Sequence, residues 1–138
     1  MKRLIIFMGT ETEDAHTLVR FLEVEGFQVE IEAPHQHISL LSRQVREVGC
    51  QTVIIDLDDL PFESRYFRDL KRQNPKLNVI GLSEKSFHPE LAEAISIHMY
   101  ACLKKPVDTD EISYLLKSVF DNTEGPERHD PTVRSDET

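Results

Sequence analysis

Short apolar runs alternate along the first 120 residues with segments whose apolar residues recur at helical spacing. Leu4 to Met8 and Thr52 to Leu57 are runs of the first kind. Such runs are typical of strands buried on both faces, and the segments between them are typical of amphipathic helices. Five strand–helix units in strict alternation bury one central sheet between two helical layers. The pattern predicts an α/β doubly wound fold with a five-stranded parallel sheet.

Local signals set the predicted boundaries. Thr10 with Glu13, and Asp108 with Glu111, have the spacing of capping boxes, so we expect helices to begin there. Gly26 and Gly49 follow apolar helical patterns and serve as stop signals. The predicted strands are residues 4–8, 27–31, 52–57, 77–82 and 101–103, and the helices between and after them include 37–48, 62–73 and 89–98.

The length of 138 residues is enough for one ordinary domain. We assign residues 1–120 to it and expect 121–138, with six acidic and two basic residues, to be a disordered acidic tail or linker. The net charge of −9 argues against binding to nucleic acid or to an anionic membrane. Since no apolar run has the length of a membrane span, we expect a cytoplasmic protein.

Three chemically distinct side chains follow successive predicted strands. Asp56 ends the third, Ser83 the fourth, and Lys105 comes just after the fifth. The carboxyl ends of parallel strands meet at one crevice, so we expect the three side chains to lie together. A carboxylate can act as a nucleophile toward phosphorus, while a hydroxyl and an ammonium bind phosphoryl oxygens. Each residue alone has a simpler explanation as a loop cap or a surface charge, but the set favours phosphoryl transfer.

These landmarks and their spacing resemble those of a response-regulator receiver (CheY-like) domain of two-component signalling. The resemblance covers residues 2–120 and implies a flavodoxin-like (βα)5 fold. It also implies that Asp56 accepts a phosphoryl group from a histidine kinase or phosphotransfer protein, with Ser83 and Lys105 at the phosphoryl oxygens. The bond before Pro106 would be cis. Such a domain is a phosphoacceptor regulator rather than an enzyme.

The same resemblance implies how the signal leaves the domain. Phosphorylation would alter docking to a downstream protein target, and residues 89–120, from Pro89 to Phe120, form the face that receivers commonly use for dimers and targets. A homodimer through this face is therefore expected. The sequence itself names neither the kinase nor the target.

The sequence departs from the receiver pattern where a metal would bind. Receivers place two adjacent acids after the first strand, and those positions fall on Met8 and Gly9 or on Gly9 and Thr10. Glu11 is the nearest substitute, with the Asp56 carboxylate and the backbone carbonyl of Asp58 as further ligands. Because Mg²⁺ requires near-octahedral oxygen ligation, we expect a weakened Mg²⁺ site.

Two other functions remain open. The missing acid pair favours a pseudo-receiver, a protein-interaction module that works without phosphorylation. Proteins of the flavodoxin type share the fold and bind a cofactor phosphate at the loop equivalent to Gly9–Glu13. That loop contains Glu11, Glu13 and, just beyond it, Asp14, whose charges disfavour an anion. We therefore expect a phosphorylatable receiver first, a pseudo-receiver second and a cofactor binder last.

Overall fold

A computed structural model describes residues 3–35, 37–86 and 88–124, with side chains through Asp121. Five parallel strands form one sheet in the order β2-β1-β3-β4-β5. The predicted doubly wound α/β fold is thereby confirmed. The strands are β1 (Leu4–Met8), β2 (Gln28–Glu32), β3 (Thr52–Asp56), β4 (Asn78–Ser83) and β5 (Ala101–Lys104).

Helices cover both faces of the sheet, as the alternation predicts. They are α1 (Glu13–Val24), α2 (Ile38–Val48), α3 (Ser64–Gln73) and α4 (Thr109–Glu124). Buried residues of α1 and α4 belong to one apolar cluster, and those of α2 and α3 to the other. β3 divides between the two, because successive strand residues point to opposite faces. Val53 and Ile55 join the α2–α3 cluster, and Ile54 joins the α1–α4 cluster.

The cap of α1 lies two residues later than predicted. Thr12 is the N-cap, and its Oγ1 accepts a hydrogen bond from the Ala15 amide at 3.1 Å. The Thr10 amide donates instead to Asp59 Oδ2 at 2.8 Å, so Thr10 belongs to a loop contact and not to the helix. The cap of α4 is confirmed, since Asp108 Oδ1 accepts hydrogen bonds from the amides of residues 110 and 111.

The segment predicted as one helix from Pro89 to about His98 is irregular. It consists of a 3₁₀ turn at Pro89–Leu91 and a π-helical turn at Ala94–His98. Ser64 Oγ donates to the Glu90 carbonyl at 3.3 Å and accepts from the Ala94 amide at 3.1 Å. The Ser64 hydroxyl thus stands between the donor and acceptor that a regular α-helix would join directly. A side chain inserted into the hydrogen-bond ladder distorts the helix in this way.

α4 continues to Glu124 instead of ending at residue 120. No glycine or proline interrupts the sequence before Gly125-Pro126, so nothing stops the helix earlier. The remainder of the predicted tail lies outside the described residues. Among the residues that are described, no helix has the length and apolar character needed to cross a bilayer.

Candidate functional site

Asp56 and Lys105 meet at the carboxyl end of the sheet. Asp56 is the last residue of β3, and Lys105 follows β5 directly, held there by its amide hydrogen bond to the Ser83 carbonyl at 2.9 Å. Lys105 Nζ lies 3.0 Å from Asp56 Oδ1 and 2.8 Å from Oδ2. The Lys105–Pro106 bond is cis, as the resemblance implies. Two of the three predicted site residues are therefore in direct contact.

Ser83 reaches the same crevice but contacts a different carboxylate. It is the last residue of β4 and only 1% exposed. Its Oγ donates to Asp58 Oδ1 at 2.8 Å and accepts from the Lys85 amide at 3.0 Å. Burial and these two partners fix the hydroxyl at the strand end.

The Asp58 side chain is the site residue that sequence reasoning missed. The sequence predicts a role for its backbone carbonyl only, but its carboxylate points into the crevice. Besides Ser83, it accepts a hydrogen bond from the Glu84 amide at 2.9 Å and lies 3.0 Å from Lys105 Nζ. The Asp58 amide donates to Asp56 Oδ1 at 2.9 Å. Nothing in the spacing distinguishes Asp58 from the adjacent Asp59, so the sequence carried no signal for this placement.

The cluster stabilises its own charges. Partial burial disfavours an ionised Asp58, but the hydrogen bonds that it accepts, first the one from the Glu84 amide, hold the pKa of its carboxyl below the usual range. Partial burial likewise disfavours the Lys105 ammonium, but hydrogen bonds with Asp56 and Asp58 raise its pKa above the usual value. At neutral pH the crevice therefore holds a charged Lys105 beside an ionised Asp58.

The β1 side of the crevice is built differently. Gly9 replaces the first expected acid, and a Cβ there would lie 3.0 Å from the Phe7 ring and 3.2 Å from Asp56 Cβ. The substitute ligand Glu11 is not brought into the cluster. Its carboxylate is 61% exposed and contacts His16 Nε2 at 2.9 Å, on the first turn of α1. Its role as a metal ligand stays a prediction.

The residues present do not fit a preformed Mg²⁺ site. Within residues 3–35, 37–86 and 88–124, no three or more His, Cys, Asp or Glu side chains are grouped to hold a metal ion. The Lys105 ammonium lies against both Asp56 and Asp58, where it repels a cation. Weak Mg²⁺ binding therefore stays a prediction.

The loop after β1 is also poorly suited to a cofactor phosphate. A phosphate-binding loop needs backbone amides that point at the anion. Here the Gly9 amide donates to the Glu32 carbonyl, the Thr10 amide to Asp59, and the Thr12 amide to the Thr10 carbonyl. With these amides paired inside the protein, the flavodoxin-type alternative has no support from this loop.

A cavity of about 450 Å³ opens beside Asp58. Its walls come from the loop after β3 and from the segment after β4. Its lining includes the basic residue Lys85, the imidazole of His88, and the acidic residues Asp59 and Glu90. Of the residues that form the crevice contacts, Asp58 and Glu84 line this cavity.

Among the comparisons with known proteins, the one with solved structures identifies the fold. No family model matches the sequence, and no curated protein matches it. Among solved structures, a CheY-like response regulator receiver domain protein from Methanospirillum hungatei JF-1 is 18% identical, with a TM-score of 0.74 over 90% of this chain and 98% of that one. At this identity the likeness establishes a CheY-like receiver fold.

Two further structures have the same fold and illustrate its assemblies. A beryllofluoride-activated NtrC4 receiver domain dimer is 17% identical, with a TM-score of 0.69 over 86% of this chain and 97% of that one. A co-crystal structure of the Saccharomyces cerevisiae histidine phosphotransfer signaling protein Ypd1 and the receiver domain of its downstream response regulator Ssk1 also matches. The matched chain is 14% identical, with a TM-score of 0.68 over 88% of this chain and 91% of that one.

Proposed function

We propose that this chain is a receiver module of a phosphorelay, in which Asp56 accepts a phosphoryl group from a histidine kinase or phosphotransfer protein. One observation carries the proposal. At the carboxyl end of a receiver-type sheet, Lys105 Nζ contacts both carboxylate oxygens of Asp56, at 3.0 and 2.8 Å. The buried Ser83 hydroxyl ends the adjacent strand. A strand-end carboxylate held by an ammonium is a nucleophile with a counter-charge already in place.

The transfer step follows from these positions. An Asp56 carboxylate oxygen attacks the phosphorus of the donor, and a new P–O bond forms as the bond to the leaving group breaks. From an acyl phosphate, the carboxylate leaves with the electron pair. From a phosphohistidine whose other ring nitrogen is protonated, a neutral imidazole leaves. Lys105 offsets the charge on the phosphoryl oxygens, which is where charge is concentrated in the transition state.

The donor and the output are proteins in this proposal. A receiver with the same fold is seen with a histidine phosphotransfer protein, and another is seen as a dimer. We propose a phosphotransfer partner at the crevice and signalling by altered docking, with Pro89–Phe120 as the face for a target or a second copy. Tyr114 and Ile97, which are 75% and 67% exposed, lie in this face and offer apolar contact area.

Intact mass spectrometry tests the proposal. The protein is incubated with acetyl phosphate, with and without Mg²⁺, alongside Asp56→Ala and a working receiver as a positive control for the donor. We expect one phosphoryl adduct in the wild-type protein and none in Asp56→Ala. No adduct on a folded wild-type protein, while the positive control reacts, would contradict the proposal.

The pseudo-receiver is the second candidate, and a specific observation favours it. Gly9 and Thr10 replace the acid pair, while Glu11 faces His16 and not the crevice. A receiver fold without phosphoryl transfer would act through constitutive docking. In that case Asp56→Ala would leave binding to the partner unchanged, whereas a phosphorylation-dependent receiver would lose its response to the donor.

A further inference from the structure

Three donors line the crevice where a phosphoryl group on Asp56 would lie. They are Ser83 Oγ, the Glu84 amide and Lys105 Nζ, and we call them the phosphoryl seat. Each already contacts an anion of the protein itself, the Asp58 carboxylate. Ser83 Oγ is 2.8 Å from Oδ1, while the Glu84 amide is 2.9 Å and Lys105 Nζ 3.0 Å from Oδ2.

The chemistry of this contact matches that of the phosphoryl group. Hydroxyl, amide and ammonium donors bind the oxygens of any compact oxyanion. A carboxylate has two oxygens that accept hydrogen bonds, as the oxygens of a phosphoryl group do. Asp58 is tethered two residues from Asp56, and its amide donates to Asp56 Oδ1. A tethered anion competes at a high effective concentration with one arriving from solution.

We propose that the Asp58 carboxylate is a resident ligand of the phosphoryl seat, which competes with an incoming phosphoryl group for the same three donors. The inference rests on the proposed function, because it assumes that the group is bound for Asp56. Phosphorylation of Asp56 then requires the Asp58 side chain to rotate out. The Asp58 carboxylate thus slows phosphorylation of Asp56.

The surroundings of Asp58 allow this exchange. Asp58 is an exposed residue of the loop after β3, and it lines the 450 Å³ cavity that opens beside the seat. The cavity gives the displaced carboxylate a place to go, and one oxyanion replaces another at Lys105. The adjacent Asp59 offers a contrast, since its carboxylate accepts from the Thr10 amide on the β1 side. Asp59 is therefore a matched control.

The first experiment compares rates of adduct formation with acetyl phosphate in the wild-type protein, Asp58→Ala, Asp58→Asn and Asp59→Asn. Hydrogen bonds to a charged group are worth enough that freeing the seat should speed the reaction by about tenfold or more in Asp58→Ala. The shorter alanine side chain could disturb the loop, so Asp58→Asn, which keeps the size of the side chain and removes its charge, serves as a second variant. It should also react faster than the wild-type protein. Asp59→Asn removes the same charge and should react at the wild-type rate.

Equal, measurable rates for wild type and Asp58→Ala would overturn the inference and leave the proposed function intact. The absence of an adduct in every variant would contradict the proposed function, and a second measurement then decides the inference. In ¹H–¹⁵N spectra the Glu84 amide should shift in Asp58→Ala and not in Asp59→Asn. Beryllium fluoride, a non-covalent phosphoryl analogue, should perturb that amide at lower concentration in Asp58→Ala than in wild type. An identical response in the two proteins would overturn the inference.

Discussion

The two sides of the crevice differ in the side chains that line them and in the contacts that these side chains make. On the side formed by β3, β4 and β5, which we call the phosphoryl half, Asp56, Ser83 and Lys105 stand at or just after strand ends. Lys105 contacts Asp56 directly, and the Asp58 carboxylate joins Ser83 to Lys105. On the β1 side, which we call the β1 half, Gly9 and Thr10 replace acids and Glu11 contacts His16. The phosphoryl half places a hydroxyl, an amide and an ammonium around the Asp58 carboxylate, whereas the β1 half has no adjacent pair of acids after its strand and does not bring Glu11 into the crevice.

This difference shows that the two tasks of such a site are separable. The groups proposed to bind an anion stand at or just after strand ends, and the backbone hydrogen bonds that join β4 to β5 also hold the sheet together. Cation binding depends on a few side chains in the loop after β1. Their replacement leaves the hydrogen bonds between β4 and β5 in place, so the β1 half can change while the phosphoryl half is kept.

Removal of Lys105 should have the largest effect on the phosphoryl half. In Lys105→Met the counter-charge between Asp56 and Asp58 is lost, and we expect the rate of adduct formation to fall by about 10²–10³-fold. The rate is measured by intact mass over time. Lys104→Met is the matched control, because the Lys104 ammonium donates to Ser86 Oγ at 2.8 Å, away from the carboxylates. A similar loss in both variants would indicate a general charge effect and would break the distinction between the halves.

An acid added to the β1 half should cost stability. In Gly9→Asp the new Cβ meets the Phe7 ring at 3.0 Å, and the ring is 2% exposed and has little room to move. We expect the free energy of unfolding in urea to fall by about 1–3 kcal/mol, as for other overpacked positions.

Thr10→Asp adds the same charge at an exposed position, and its effect should stay within about 0.5 kcal/mol. Combining Gly9→Asp with Phe7→Leu should recover part of the loss. If the two single variants have the same stability, Phe7 does not close the first acid position.

The smallest effect is expected for Glu11→Ala. Since the Glu11 carboxylate is mostly exposed and contacts His16, its removal should change the rate of adduct formation by less than about twofold at any Mg²⁺ concentration. The measurement is the adduct rate across a Mg²⁺ titration. A loss of the Mg²⁺ response in this variant would show that Glu11 is the substitute ligand after all, and that the β1 half still binds a cation.

The fold could be predicted from the sequence because buried parallel strands are short apolar runs, and all five were located to within a residue or two. Strand ends then placed Asp56, Ser83 and Lys105 together, since the topology decides where they meet. The side chain of Asp58 and the inserted hydroxyl of Ser64 escaped prediction. Each makes several hydrogen bonds to residues far along the chain, and no sequence periodicity relates a residue to such partners.

In the proposed receiver Asp56 carries the phosphoryl group, although Asp58 and Asp59 follow it closely in the chain. Borohydride reduction after treatment with acetyl phosphate converts an aspartyl phosphate to homoserine, which tandem mass spectrometry locates. One tryptic peptide, residues 47–65, contains all three acids. We predict homoserine at position 56 alone. Homoserine at position 58 or 59, or in no part of this peptide, would contradict the account.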